Sequence, residues 1–185
     1  MLIAFEGLDQ SGKQTQAEML RDRLRAGGHK ARLVSFPDYA TAIGSEIHNA
    51  LHGERDYPPD VMQLLYVANR YEHRPRIELW LGAGDIVICD RYRASSVAYG
   101  EAHGLDVAWL TDIQRHLPDP AITIVLDIAP ETAAKRKQAN RDRYERDLGL
   151  LARVRASYHR QAAQPHWALV DADRAKDEVA QAVED

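Results

Sequence analysis

The sequence predicts a three-layer α/β domain, with a five-stranded parallel sheet flanked by helices. Two observations carry this. Short apolar runs alternate with longer amphipathic stretches along the whole chain, which is the pattern of a parallel sheet wrapped by helices. The first apolar run also passes straight into a glycine-rich turn and then a helical pattern, as a strand–loop–helix unit requires.

The predicted strands are Leu2–Phe5, Ala31–Ser35, Asp85–Cys89, Ala121–Leu126 and Trp167–Val170. Most are rich in Ile and Val with little polar alternation, as expected of strands covered on both faces. Between them lie helix-length segments at Thr15–Arg25, Asp60–Leu81, Ser95–His103, Val107–His116, Glu131–Asn140, Leu148–Ala162 and Ala175–Val183. Gly27-Gly28 is placed to end the first helix by supplying a left-handed residue. Asp60 is placed to cap the second. Gly82 and Gly84 would close that helix, and Pro75 inside it is expected to kink or divide it. No internal repeat, low-complexity tract or linker interrupts the chain, so residues 1–185 read as one domain.

Composition narrows the function. The 185 residues carry 24 Lys and Arg against 28 Asp and Glu, a net charge of −4. Nucleic-acid binding through bulk charge has the wrong sign here. A single cysteine, Cys89, excludes a disulfide framework and favours a reducing compartment. It is read as a buried strand residue. No apolar run approaches a membrane span, and Leu2–Phe5 stops at Glu6, too short for a signal peptide. The expectation is a soluble cytoplasmic protein without a membrane or nucleic-acid partner.

Gly7-Leu8-Asp9-Gln10-Ser11-Gly12-Lys13, followed by Gln14-Thr15, is a G-x-x-x-x-G-K loop between strand and helix. Its glycines let the backbone curl so that successive N–H groups point at phosphate oxygens, and the helix N-terminus adds to that anion site. Lys13 supplies a mobile cation for the terminal phosphates. The hydroxyl residue that usually follows the lysine and meets Mg²⁺ is Gln14 here, and Thr15 is the next hydroxyl. Three alternatives stand: magnesium held through water, the Gln14 amide oxygen as a substitute, or a loop that binds nucleotide and transfers phosphate poorly.

The third strand ends in Asp90-Arg91-Tyr92. An acid at the carboxyl end of a strand beside a phosphate loop suits a ligand for Mg²⁺-bound water. Arg91 would then lie beside the transferred phosphoryl group, where a planar fork grips two oxygens. A third cluster, residues 134–146, holds six basic residues in thirteen positions. Such a run is most often a solvated helix face, but beside a phosphate loop a basic lid, about residues 137–147, is the better reading.

With these pieces placed, the chain resembles the thymidylate kinase family, nucleoside monophosphate kinases with a P-loop NTPase-type fold that phosphorylate dTMP with ATP. The resemblance spans essentially the whole length. It rests on Phe5-Glu6-Gly7-Leu8-Asp9 with Gly12-Lys13 and Thr15-Gln16, on Leu64-Leu65-Tyr66-Val67-Ala68-Asn69-Arg70, and on Asp90-Arg91-Tyr92 with Ser95, Ser96 and Tyr99. It continues through Leu126-Asp127-Ile128-Ala129-Pro130-Glu131, Arg136 and Arg141-Asp142-Arg143-Tyr144-Glu145. The resemblance implies that Tyr66 stacks on thymine while Arg70, four residues on, donates to its O4. It also implies that Asp9 meets the sugar 3′-hydroxyl, that Ser95, Ser96 and Tyr99 wall the base and sugar, and that Tyr144, beside Glu145, favours deoxyribose. For ATP it implies Arg136 against the adenine, with Asp171 and Ala172 around that base.

Two positions depart from common family patterns. Some members carry a catalytic arginine in the loop where Gln10 stands, and Arg141 with Arg143 resembles the lid arginine of the other class. Many members have an arginine shortly after Phe-Pro, whereas this chain reads Phe36-Pro37-Asp38-Tyr39. Tyr39 would then bond the acceptor phosphate, with Arg91 and Arg143 carrying the charge. The implied reaction is in-line phosphoryl transfer from ATP to dTMP for dTTP synthesis, with Lys13, Asp90, Arg91 and Arg141 as the catalytic set. Rival readings are a related kinase with a broader acceptor such as dUMP, and a catalytically weak nucleotide-binding homologue, motivated by Gln14 and Tyr39. Family members are commonly dimers, which implies a homodimer to which the helix Asp60–Leu81 could contribute.

Overall fold

The computed structural model describes residues 1–136, 144 and 147–184. In chain order the elements are β1 (Leu2–Gly7), α1 (Lys13–Ala26), β2 (Ala31–Ser35), α2 (Ala42–Leu51), α3 (Pro59–Gly82), β3 (Ile86–Asp90) and α4 (Arg93–Ala102). They continue with α5 (Val107–Asp112), β4 (Ile122–Asp127), α6 (Pro130–Arg136), α7 (Leu148–Gln161), β5 (Trp167–Asp171) and α8 (Lys176–Glu184). The five strands form one parallel sheet in the order β2-β3-β1-β4-β5.

The registers set Phe5 opposite Asp90 and Gly7 opposite Leu126. The carboxyl ends of β1, β3 and β4 therefore converge on one edge of the sheet, where ligands of open α/β sheets bind. Strand side chains alternate between faces, and the core divides accordingly. Leu2, Ala4, Val87 and Cys89 pack with Phe36, Ile77 and Tyr92. Ile3, Phe5, Ile88 and Ile124 pack with residues of α1, α2, α4 and α7. Cys89 is fully buried, and burial pushes its thiol pKa far up, in keeping with a packing role. Among the described residues no helix is long and apolar enough to cross a membrane.

Several local expectations are corrected. α3 is capped by Pro58, not Asp60, because Pro59 supplies a preformed φ for the first helical position. Asp60 instead sits in the first turn and accepts from the Val61 N–H at 2.9 Å. Pro75 does not divide α3, which continues to Gly82 with buried His73 and Ile77 anchoring the turns on either side. The third strand starts one residue later than expected, leaving Asp85 ahead of it, buried and paired with Arg32 at 2.8 Å. α5 stops at Asp112, and the chain then turns through i→i+3 bonds to Leu117. α2 was not expected at all: Thr41 caps it by accepting from the Gly44 N–H at 3.0 Å. The end of the first helix is as expected, with Gly28 at φ +86°.

Candidate active site

The phosphate loop leaves β1 at Gly7, which has φ +132°. A Cβ there would lie 2.4 Å from the Leu126 carbonyl oxygen, so only glycine fits. Gly12, at φ +92°, is the N-cap of α1 and brings no side-chain cap to it. The N-terminal N–H groups of this 14-residue helix are thus left for an anion. Lys13 is buried, and its Nζ donates to the Leu8 carbonyl at 2.7 Å across the loop. Burial lowers its pKa to about 8, with Arg91 adding to the shift and Asp9 and Asp90 opposing it. Ser11 is buried, and its Oγ has no hydrogen-bond partner.

Asp90 and Arg91 follow at the end of β3. Burial raises the Asp90 pKa, against the pull of Lys13 and Arg91. Its Oδ1 is buried without a hydrogen-bond partner, an acceptor suited to a cation or to water bound to one. Gln14 and Thr15 are exposed on the first turn of α1, and the Gln14 amide donates to Glu18 at 3.0 Å rather than into the site. Arg91 has φ +62°, a conformation uncommon outside glycine. Its Nη2 donates to Asp9 at 2.7 Å, and its Nη1 donates to the Gly7 carbonyl at 3.0 Å. The guanidinium also lies over the Tyr99 ring, 5.5 Å from its centre.

Next to this pair lies a cavity between α3, α4 and the loop after β2. Asp9, Phe36, Tyr39, Tyr66, Arg70, Arg91, Ser95, Ser96, Tyr99 and Tyr144 all line it, so the described residues expected around the acceptor come together. Arg70 is buried, and its Nη1 donates to Ser96 Oγ at 2.7 Å and to Gln114 at 3.3 Å. Its Nε is buried without a hydrogen-bond partner, a donor available to a bound base. Phe36 stands edge-on to His73, with centroids 5.4 Å apart. Tyr144 packs beside Tyr99 and His103. Arg143, Glu145 and Arg141 lie outside the described residues.

On the other side of the phosphate loop, Arg136 donates from Nη1 to the Gln10 carbonyl at 3.1 Å and from Nη2 to the Ala172 carbonyl at 2.9 Å. It thereby joins the loop to the turn where Asp171 ends β5. Sequence reasoning missed Gln63, Pro37 and Leu51, which also line the acceptor cavity. Gln63 falls seven residues before Arg70, hence on the same helix face, a signal that could have found it.

A strand–loop–helix phosphate cradle beside a second, cation-lined cavity defines a nucleoside monophosphate kinase of the P-loop class. The family model for thymidylate kinase matches residues 5–183. The thymidylate kinase of Arabidopsis thaliana is 37% identical over 178 residues, covering 96% of this chain and 67% of that protein. The human thymidylate kinase is 33% identical over 176 residues, covering 94% and 82%. The solved structure of thymidylate kinase from Candida albicans superposes with a TM-score of 0.88 at 30% identity, covering 99% of this chain and 88% of that one. The chain belongs to the thymidylate kinase family.

Proposed function

We propose that this protein transfers the γ-phosphoryl group of ATP to dTMP, giving ADP and dTDP for dTTP synthesis. The observation that carries this is the Asp9–Arg91 pair. It sits where the phosphate loop and the acceptor cavity meet, so one guanidinium serves both phosphates. The acceptor phosphate oxygen is already anionic, and the reaction needs alignment and charge neutralisation rather than a strong base. The loop amides and Lys13 hold the β- and γ-phosphates. Arg91 bridges donor and acceptor, and the family resemblance adds Arg141, in the lid segment at about residues 137–147, to the catalytic charge. Arg136, Asp171 and Ala172 lie around the adenine. Tyr66 stacks on the thymine, and Arg70 donates to its O4. Asp9 meets the 3′-hydroxyl, and Tyr39 with Arg143 holds the acceptor phosphate.

Mg²⁺ fits the unpartnered Oδ1 of Asp90, which would hold it through water, while Gln14 is turned to Glu18. When bound, the ion neutralises charge on the transferring phosphates. The protein works as a cytoplasmic homodimer of single-domain chains. The test is ADP release with ATP, Mg²⁺ and a panel of dTMP, dUMP, dCMP, UMP and thymidine. Release with dTMP well above the rest is expected. No release with any acceptor, from folded protein that binds ATP, would refute the assignment.

A further inference from the structure

We infer that Glu6 is the positioning residue for Arg91, holding the guanidinium in place through the backbone of α4 and two shared hydroxyl groups. The inference rests on the reading above that Arg91 serves both phosphates. Glu6 ends the apolar run of β1 and is fully buried. A buried carboxylate is costly unless its oxygens are well supplied with donors. Four donors surround this one, and each also bears on Arg91.

The first two are backbone groups. The N-terminus of α4 has Tyr92 as its N-cap and no side-chain cap of its own. Glu6 Oε1 caps it from another element, accepting from the Tyr92 N–H at 2.8 Å and the Ser95 N–H at 3.2 Å. Arg91 is the residue just before, and its own N–H donates to the Phe5 carbonyl at 2.8 Å. Neighbouring groups of β1 thus grip the chain on both sides of the left-handed residue. Such a conformation is strained and persists only where the surroundings over-determine it.

The other two donors are hydroxyls. Glu6 Oε2 accepts from Ser95 Oγ at 2.5 Å and from Tyr158 OH at 3.1 Å. The same two oxygens accept from Arg91 Nη1, at 3.2 Å and 3.4 Å. A hydroxyl has one proton, and an ionised carboxylate only accepts. With each proton turned to Glu6, the lone pairs of both hydroxyls face the guanidinium. Burial first, and then the nearby Glu6, push the Tyr158 pKa far up, so this hydroxyl keeps its proton.

Glu6→Gln separates this role from packing. The amide keeps the shape and one oxygen for the two N–H groups, but its NH₂ meets the hydroxyls as a donor. Ser95 Oγ and Tyr158 OH lie 3.0 Å apart and one can donate to the other, but the remaining proton then turns toward Arg91. The expected result is a kcat lowered about tenfold or more, with little change in KM for ATP or in Tm. In an Arg91→Ala background the same substitution is expected to have no further effect on kcat. Tyr158→Phe removes one shared hydroxyl without touching the cap, and decides the matter if Glu6→Gln does not fold. It should give a smaller kcat loss that also vanishes in Arg91→Ala. Equal kcat losses with and without Arg91, or undiminished kcat in both folded variants while Arg91→Ala is impaired, would overturn this inference alone. A wild-type enzyme without dTMP-dependent ADP release, or a fully active Arg91→Ala, would overturn the functional reading and this inference with it.

Discussion

Asp9 and Arg91 meet at 2.7 Å, joining the phosphate loop to the end of β3. The Asp9 carboxylate also accepts from Tyr99 OH at 3.2 Å. Burial works against its charge, yet Arg91, Lys13 and these hydrogen bonds hold its pKa well below the ordinary 3.8. The native state therefore takes up this proton later than the unfolded chain does as pH falls. The stability Asp9 contributes is fully present above 3.8 and is lost as pH drops below it. In urea denaturation, the stability gap between wild type and Asp9→Asn should hold steady from neutral pH to about 5 and narrow below about 4. A gap unchanged down to about pH 3 would show that the pair does not hold the native state.

Lys13 supplies a second pH dependence, of opposite sense. Its pKa, lowered to about 8 by burial and by Arg91, leaves it charged below that pH and neutral above. A neutral amine cannot offset triphosphate charge. Hence kcat/KM for ATP should fall as pH rises through about 8. In kcat the break should come at higher pH, because the bound phosphates favour the ammonium form. Lys13→Arg should lose the break, since a guanidinium stays charged. Lys13→Ala and Arg91→Ala should each lower turnover at least about 100-fold, roughly 3 kcal/mol. Near wild-type turnover in either folded variant would remove that residue from the mechanism.

In the proposed reaction Arg70 carries the choice of base. Its buried Nε lacks a partner, and Ser96 and Gln114 fix the far side of the guanidinium. Thymine O4 accepts a hydrogen bond, whereas cytosine offers a donor at that position. Facing dCMP, the buried donor stays unpaired at a cost of ~1–3 kcal/mol, or ten- to a hundredfold in selectivity. Arg70→Met should therefore lower kcat/KM for dTMP far more than for dCMP. A panel in which both fall equally would assign Arg70 to packing alone.

How much was legible from sequence follows from the range of each interaction. The phosphate loop and strands were readable because Gly7, Gly12 and the Ile and Val runs express local backbone and burial rules. Arg70, Tyr66, Ser95 and Tyr99 were reached through resemblance, since their convergence depends on how α3 and α4 cross the sheet edge. Glu6 read only as part of a motif, for its partners Tyr92, Ser95 and Tyr158 lie 86 to 152 residues away. α2 was missed although Ile43, Ile47, Ala50 and Leu51 mark an apolar face, because it follows directly on the Phe36–Tyr39 turn and its cap, Thr41. The α3 cap was misplaced because an acidic side chain outweighed the Pro58-Pro59 step beside it.

That turn also yields a prediction away from the charged centre. Gly44 in α2 packs so closely on it that a Cβ would lie 1.7 Å from the Asp38 carbonyl oxygen and 2.9 Å from the Tyr39 Cα. These are backbone atoms, and Asp38 cannot easily yield. Its N–H donates to Asn69 Oδ1 at 2.8 Å, and its carboxylate lies 3.1 Å from His73. Gly44→Ala should thus push apart α2 and the turn bearing Phe36 and Tyr39, costing ~1–3 kcal/mol. For a chain of this size that lowers Tm by about 2–12 °C. KM for dTMP should rise while KM for ATP stays unchanged, because Phe36, Pro37 and Tyr39 of the turn line the acceptor cavity. Gly82→Ala is the control: nothing lies within 4 Å of its Cβ direction, and its backbone is helical. It should leave both KM values unchanged and Tm unchanged or slightly raised, because alanine favours a helical position over glycine. A Gly44→Ala protein as stable as wild type would show that α2 and the turn move apart freely.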